Sequence, residues 1–278
     1  MRFATRLAAV IIVALGVTGF GGVEALFAPK ASLWEEWTAH KTKSVNAVDH
    51  RAWDGFLATY VSSHTDGVNR VDYGAVDSAG KSTLDSYIAR MTAVPVRELS
   101  RAVQLAYWIN LYNALTVKVV LSAYPVESIR DIDISPGLLS DGPWDKKLVE
   151  IGGEAVSLND IEHRILRPIW RDPRIHYAVN CASISCPNLQ KKAFTAKSAE
   201  RMLDAAARAY INDRRGVRRE DERVVVSSIY AWFTDDFGGD VAGVIAHLKQ
   251  YANPELILIL EAATELEDAY DWTLNNAR

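Results

Sequence analysis

Apolar positions recur along this chain with the spacing of helices far more often than with that of strands. Trp53, Phe56, Leu57 and Tyr60 fall at i, i+3, i+4 and i+7, which predicts an amphipathic helix over Asp49 to Val61. Thr83 to Thr92 resumes that spacing before Pro95 stops it. From Leu99 to Tyr124 the apolar residues nearly encircle the axis, so this helix is expected to be buried on most sides. Ala196 to Ile211 and Val241 to Tyr251 complete the helical set, with Pro254 and the apolar run Leu256 to Leu260 beyond. Alternation is confined to short pieces. Val68 to Tyr73, Arg223 to Ile229 and Tyr270 to Asn275 read as strands, and Leu148 to Ile151, Gly152-Gly153 and Ala155-Val156 read as a hairpin. Ser157 with Asp160 three residues on is close to a capping box and opens a helix through Ile161, Ile165 and Leu166 that Pro168 ends or kinks. Asp131 to Asp145 is a loop, the best placed of any to cover or bind something. Helices interleaved with strands and no regular βαβ repeat give an α+β class: one helix-rich domain with a small mixed sheet.

Arg174 to Pro187 breaks the helical rule. Ile175 to Val179 looks like a strand that runs into small polar residues and stops at Pro187. Strand alternation sets His176, Ala178 and Asn180 on one face and Tyr177, Val179 and Cys181 on the other, so Cys181 meets His176 only if the chain turns sharply near Asn180. Both cysteines of the chain, Cys181 and Cys186, are in this stretch.

Composition narrows the classes. A hydrophobic fraction of 49% over 278 residues supports a packed core. The net charge of -4 comes from well-mixed charges and offers no basic face for nucleic acid. The cluster Arg214, Arg215, Arg218 and Arg219 runs straight into Glu220, Asp221 and Glu222 and reads as a solvated turn. At the N-terminus, Arg2 and Arg6 precede an apolar run to Phe20, followed by small residues near Ala25, the layout of a secretory signal over residues 1–25. The uncharged stretch Leu7 to Val23 is 17 residues, the lower edge of a membrane span, so an uncleaved anchor is the alternative. Either way the folded part, 49–278, is expected across a membrane, periplasmic or secreted in the first case and held at the inner membrane facing the periplasm in the second. Residues 26–48, with Trp34 and Trp37, read as a linker.

Phosphate-binding GxGxxG and GKS/GKT sequences and the Gly-x-Ser-x-Gly elbow are missing, and C-x4-C without a second pair argues against a thiolate zinc site. No cofactor is expected. Thiol and imidazole remain. A cysteine becomes nucleophilic when a neighbour stabilises its thiolate, and an imidazole base needs a third group to fix its tautomer. Cys181, His176, His163 and Glu162 are the candidate catalytic residues, and Asp236 and Asp271 are supporting carboxylates. Asn110 and Asn113, set in the most buried helix, must have partners because an unpaired buried polar group costs about 1 to 3 kcal/mol. They pin a neighbouring loop or orient a catalytic group. Against the catalytic reading stand a Cys181–Cys186 disulfide that staples the loop and a divalent metal held by Glu162, His163 and His176.

Five blocks, in order, resemble one family. They are Trp108 to Ala114; Ser157 to His163 with Leu166-Arg167; His176 to Cys181 through Ser185-Cys186-Pro187; Trp232 to Phe237; and Tyr270 to Asn275. Together they resemble domain of unknown function family 547 from about Asp49 to Asn275. The resemblance implies little about activity, since the family's name records that its activity is unsettled. It occurs in bacterial exported proteins and in plant proteins fused to coiled coils. With no heptad extension, this chain resembles the bacterial form. A papain-like or transglutaminase-like fold is a possible analogy. The expectations that follow are an exported thiol-dependent hydrolase or acyl transferase, or a non-catalytic periplasmic binding or scaffold domain, with substrate and protein partners open.

Overall fold

The computed structural model describes residues 20–137 and 142–277. The apolar run Leu7 to Phe20, apart from its last residue, and the middle of the 131–145 loop lie outside the described residues. Among the described residues no helix is long and apolar enough to cross a membrane.

Helices α1 (Arg51–Tyr60), α2 (Ser78–Thr92) and α3 (Arg101–Ala123) form the first half of the core. α3 is its axis: Tyr107, Trp108, Ile109, Leu111, Ala114 and Val120 are almost wholly buried, as the unbroken apolar surface of the sequence requires. Each of the neighbouring helices starts where a side chain can satisfy free backbone N–H groups. The Asp77 carboxylate accepts from the Gly80 N–H at the start of α2, and Asp49 accepts from the N–H of Arg51. Strands β1 (Val61–Ser63) and β2 (Asn69–Val71) pair antiparallel, as do β3 (Val149–Ile151) and β4 (Glu154–Val156) across the Gly152-Gly153 turn.

The helix after Ser157 leaves α geometry after its first two residues. Asp160–Leu166 is a π-helix, continued by the short α4 (Arg167–Trp170). Ser157 caps its start as the sequence suggested, its N–H and hydroxyl donating to Asp160 while the Asp160 N–H donates to Ser157 Oγ. The wider turn shows where Arg167 N–H reaches back five residues to Glu162 O. Pro168 has no N–H to offer, and the neighbouring carbonyls of His163 and Arg164 are taken by the N–H groups of Ser32 and Trp34. Residues 29–41 are therefore no free tether. Trp37 is buried edge-on against Trp108, and the Arg164 guanidinium covers Trp34.

Two further readings are corrected. Arg174 to Cys181 is not a strand: Pro173–Tyr177 is a 3-10 turn started by Asp172, which accepts from the Arg174 N–H and grips the Arg174 guanidinium. Local capping and an N-terminal proline outweigh the β-branched composition. The basic cluster is a solvated turn only in part: Arg214 is exposed in a turn, but Arg218 and Arg219 are on a strand. Val217–Glu220 is β5, paired with β6 (Arg223–Ser227), and β6 pairs in parallel with β7 (Glu267–Ala269) to make the small mixed sheet. Tyr270 to Asn275 passes beyond that sheet as extended chain with isolated bridges to Ser128 and Ser183.

Helices α5 (Ala199–Ile211), α6 (Ser228–Trp232), α7 (Val241–Lys249) and α8 (Pro254–Ala262) pack with this sheet into a second apolar cluster around Tyr210, Tyr230 and Phe237. The result is a helix-rich α+β fold. Its two clusters meet at the Ile175–Ala182 segment, whose Tyr177 belongs to one and whose Ile175, Ala178 and Val179 belong to the other.

Candidate active site

Where the clusters meet, a cleft of about 470 Å³ opens. Its lining includes Cys181, Glu162, His163 and His176, together with Tyr112 from α3 and the aromatic wall Trp232, Tyr270 and Trp272. Four residues chosen from sequence thus face one cavity although they come from two separate stretches, the π-helix and the Arg174 to Pro187 segment.

The cysteine loop is held from several sides. Asn113, deep in α3, donates from Nδ2 to Ala178 O at 2.9 Å and accepts the Asn180 N–H at 2.8 Å, so its amide acts as a piece of backbone for the loop to pair with. Asn180 then closes the loop, donating to Pro187 O and accepting the Ala182 N–H. Ala182, fully buried at φ 62°, takes the left-handed conformation that the sharp turn demands. Arg215 hydrogen-bonds the carbonyls of Ile184 and Cys186, a structural role that its place among other arginines concealed. Asn110 makes the same two-point grip as Asn113, but on Phe194, away from the cysteines.

Both thiols are free, with Sγ atoms 2.9 Å apart in a thiol–thiol hydrogen bond, so the stapling bridge is not formed. Cys181 is half-buried and faces the cleft; Cys186 is only 3% exposed and accepts the Cys181 N–H at 2.9 Å. The Tyr270 hydroxyl lies 3.0 Å from the Cys181 sulfur, and Ser183, 3.3 Å from the same sulfur, donates to Tyr270. Burial works against ionisation of Cys181, yet the hydrogen bonds of Cys186, Ser183 and Tyr270 to its sulfur outweigh it and hold the thiol below its ordinary value. Cys186 is driven the other way, by burial first and by the neighbouring sulfur second.

Across the cleft stands a charged chain. Arg167 Nε donates to Asp236 at 2.5 Å, and the same carboxylate oxygen accepts from His176 Nε2 at 2.7 Å. His176 Nδ1 faces Glu162 at 3.6 Å, and the imidazole stacks on Phe233. Burial opposes the charge on Glu162, but His163, His176 and Arg167 prevail and its carboxyl is lowered to about 2. Arg167 also donates to His163 Nδ1 at 2.9 Å. A guanidinium has no lone pair to offer, so Nδ1 is the acceptor and the proton of the neutral ring is on Nε2. Burial, with Arg167 adding to it, lowers His163 to about 4. Among the described residues its Nε2 has no hydrogen-bond partner.

No thiol–imidazole hydrogen bond is present among the described residues: the partners of the Cys181 sulfur are Cys186, Ser183 and Tyr270. Glu162, His163 and His176 do not make a metal site either. His163 Nδ1 is taken by Arg167 and His176 is held between Asp236 and Glu162, and among the described residues no three His, Cys, Asp or Glu side chains converge to hold an ion. Asp271 is separate as well, its carboxylate accepting from the Thr273 N–H while its backbone N–H donates to Ser185 Oγ. Tyr270, Ser183 and Arg167 were not singled out from the sequence. Tyr270 and Arg167 lay inside the blocks that carried the family resemblance, and Ser183 stood between the two cysteines.

Fold and cleft together define a helix-rich α+β domain with a dithiol set opposite a buried histidine–carboxylate–arginine cluster. Residues 96–211 match the model of the family described as "Protein of unknown function, DUF547", and this part of the chain is a DUF547 domain. The matched stretch runs from the approach to α3 through the π-helix and the cysteine loop to the end of α5, and so contains Glu162, His163, His176 and both cysteines. No curated protein and no solved structure matches the chain. The papain-like or transglutaminase-like analogy has no support, in structural matches or in the sulfur's own contacts.

Proposed function

We propose that the cleft is the site of a thiol-dependent acyl transfer or hydrolysis, with Cys181 as nucleophile. The observation that carries this reading is the Cys181 sulfur itself, open to the cleft with the Cys186 thiol and the Ser183 and Tyr270 hydroxyls within hydrogen-bond reach. The thiolate attacks an acyl carbon, the carbonyl π electrons move to oxygen, and collapse expels the leaving group, which takes a proton from the cleft. Water or a second nucleophile then attacks the thioester and releases Cys181 as thiolate. His163 in its Nε2–H tautomer suits the role of hydrogen-bond donor to the developing oxyanion. His176, held between Asp236 and Glu162, keeps the carboxylates charged and in place.

The test uses the purified protein without reductant. Iodoacetamide should alkylate Cys181 and spare Cys186, and an activated ester should leave an acyl group on Cys181 that Cys181→Ser does not acquire. Complete resistance of Cys181 to both reagents overturns the reading.

One observation favours the alternative of a non-catalytic binding or scaffold domain: the sulfur has no imidazole bonded to it. Under that reading the cysteine pair is structural, and Cys181→Ser lowers the melting temperature while leaving any cellular phenotype intact. We also infer export, from the layout of Arg2, Arg6 and the apolar run that follows. The mass of the chain recovered from a periplasmic fraction should show cleavage near Ala25, or an intact N-terminus if the segment is an anchor.

A further inference from the structure

We propose that Cys181 and Cys186 form a thiol–disulfide exchange pair, in which Cys181 attacks an external disulfide and Cys186 resolves the adduct. The inference shares with the proposed function only the reactivity of Cys181; it adds a second activity and a role for Cys186.

The geometry carries it. Two free thiols at i and i+5 have sulfurs 2.9 Å apart, on a loop fixed by Asn113, Asn180 and Arg215, so a bond between them needs no movement of a distant segment. The two sulfurs differ in access. Cys181 meets the cleft, whereas Cys186 is buried and accepts the Cys181 N–H, so a reagent arriving through the cleft reaches one sulfur before the other. The Tyr270 hydroxyl, itself accepting from Ser183, sits 3.0 Å from the Cys181 sulfur and favours its thiolate, the form that attacks.

The steps balance with a low-molecular-weight disulfide, RSSR, as oxidant. The Cys181 thiolate attacks one sulfur of RSSR, forming Cys181–S–SR and expelling RS⁻. Cys186 loses its proton and attacks Cys181 Sγ, forming the Cys181–Cys186 bond and expelling a second RS⁻. The proton from Cys186 and one from solvent convert both leaving groups to RSH. Two protein thiols are oxidised, and one external disulfide is reduced to two thiols. In the oxidised state Cys181 is no longer a nucleophile, so the same pair would switch the acyl-transfer site off reversibly.

The experiment treats the reduced full chain with oxidised glutathione and follows it by intact and peptide mass. Wild type should pass through a transient glutathione adduct to a chain lighter by two hydrogens with Cys181 linked to Cys186, reversed by dithiothreitol. Cys186→Ser should stop at a stable adduct on Cys181, and Cys181→Ser should acquire no adduct on Cys186. A stable adduct in wild type, or equal behaviour of wild type and Cys186→Ser, overturns the exchange pair. Iodoacetamide labelling of the same samples separates the two ideas: labelling of Cys181 without internal disulfide formation removes the exchange pair alone, whereas no labelling and no adduct removes both.

Discussion

The guanidinium of Arg167 donates to Nδ1 of His163 at 2.9 Å and, through Nε, to the carboxylate that also holds His176. One arginine thus fixes the tautomer of one imidazole and the position of the other. It also donates to the carbonyl of Pro29, tying the N-terminal segment to the same point.

Arg167→Met should therefore have two effects. Leaving Asp236 and His163 without their buried cation costs about 3 kcal/mol of stability, the scale for breaking a buried charged pair. The titration of His163 should move up from about 4 toward its ordinary value, because Arg167 lowers it. Chemical denaturation measures the first and NMR of the imidazole protons the second. An unmoved His163 titration would refute the assigned role.

Asn110 and Asn113 separate structure from site. Each is fully buried with both amide groups bonded, so replacement by alanine should cost about 1 to 3 kcal/mol in either case. Only Asn113→Ala loosens the segment Ala178 to Asn180 that leads into Cys181. Its iodoacetamide rate should change several-fold while that of Asn110→Ala stays at the wild-type value, once both are compared well below their melting temperatures.

Tyr270→Phe removes a hydroxyl 3.0 Å from the Cys181 sulfur. The thiol should then titrate higher, because a hydrogen bond that favours its thiolate is gone. Alkylation at neutral pH should slow accordingly, with a pH–rate profile shifted to higher pH. A profile superimposable on wild type would show that Tyr270 does not stabilise the thiolate.

Acid should weaken the fold in two stages. Burial lowers His50, His163 and His247 from 6.5 to about 4, so between those limits the unfolded chain binds protons that the folded chain does not. Their contribution is complete above about pH 6.5 and is lost as pH falls toward 4. Glu162, lowered from 4.5 to about 2, adds a second loss over that lower range, where the unfolded carboxyl is protonated first. Melting temperature against pH should fall across both windows, and His247→Gln should flatten the upper one. A melting temperature constant from pH 7 to 4 would contradict the buried neutral histidines.

Periodicity read the helices well because each of them buries a face. α1, α3 and α5 lie within the expected ranges, α2 begins at Ser78, ahead of the expected Thr83, and the Ser157 cap and the Gly152-Gly153 hairpin were visible as local chemistry. Pattern failed where a residue is governed by partners far along the chain. Arg174 to Cys181 has the composition of a strand but no neighbouring strand to pair with, and Asp172 with Pro173 turns it into a 3-10 segment. Arg215 looked like surface charge because its partners, the carbonyls of the cysteine loop, are some thirty residues away. Residue type identified Glu162, His163, His176 and Cys181 as chemistry, and the structure brings them to one cleft. Spacing could not reveal that the sulfur's partners are Ser183 and Tyr270 in place of an imidazole.

The π-turn of Asp160–Leu166 makes the cluster sensitive to backbone winding as much as to residue identity. Each residue of an α-helix advances the chain by about 100°, and a π-turn accommodates one residue more than an α-turn. Rewinding the same residues as ordinary α-helix would carry Arg167 about a quarter-turn further around the axis. Every side chain needed for the charged relay would still be encoded, but the guanidinium would no longer point at its two partners.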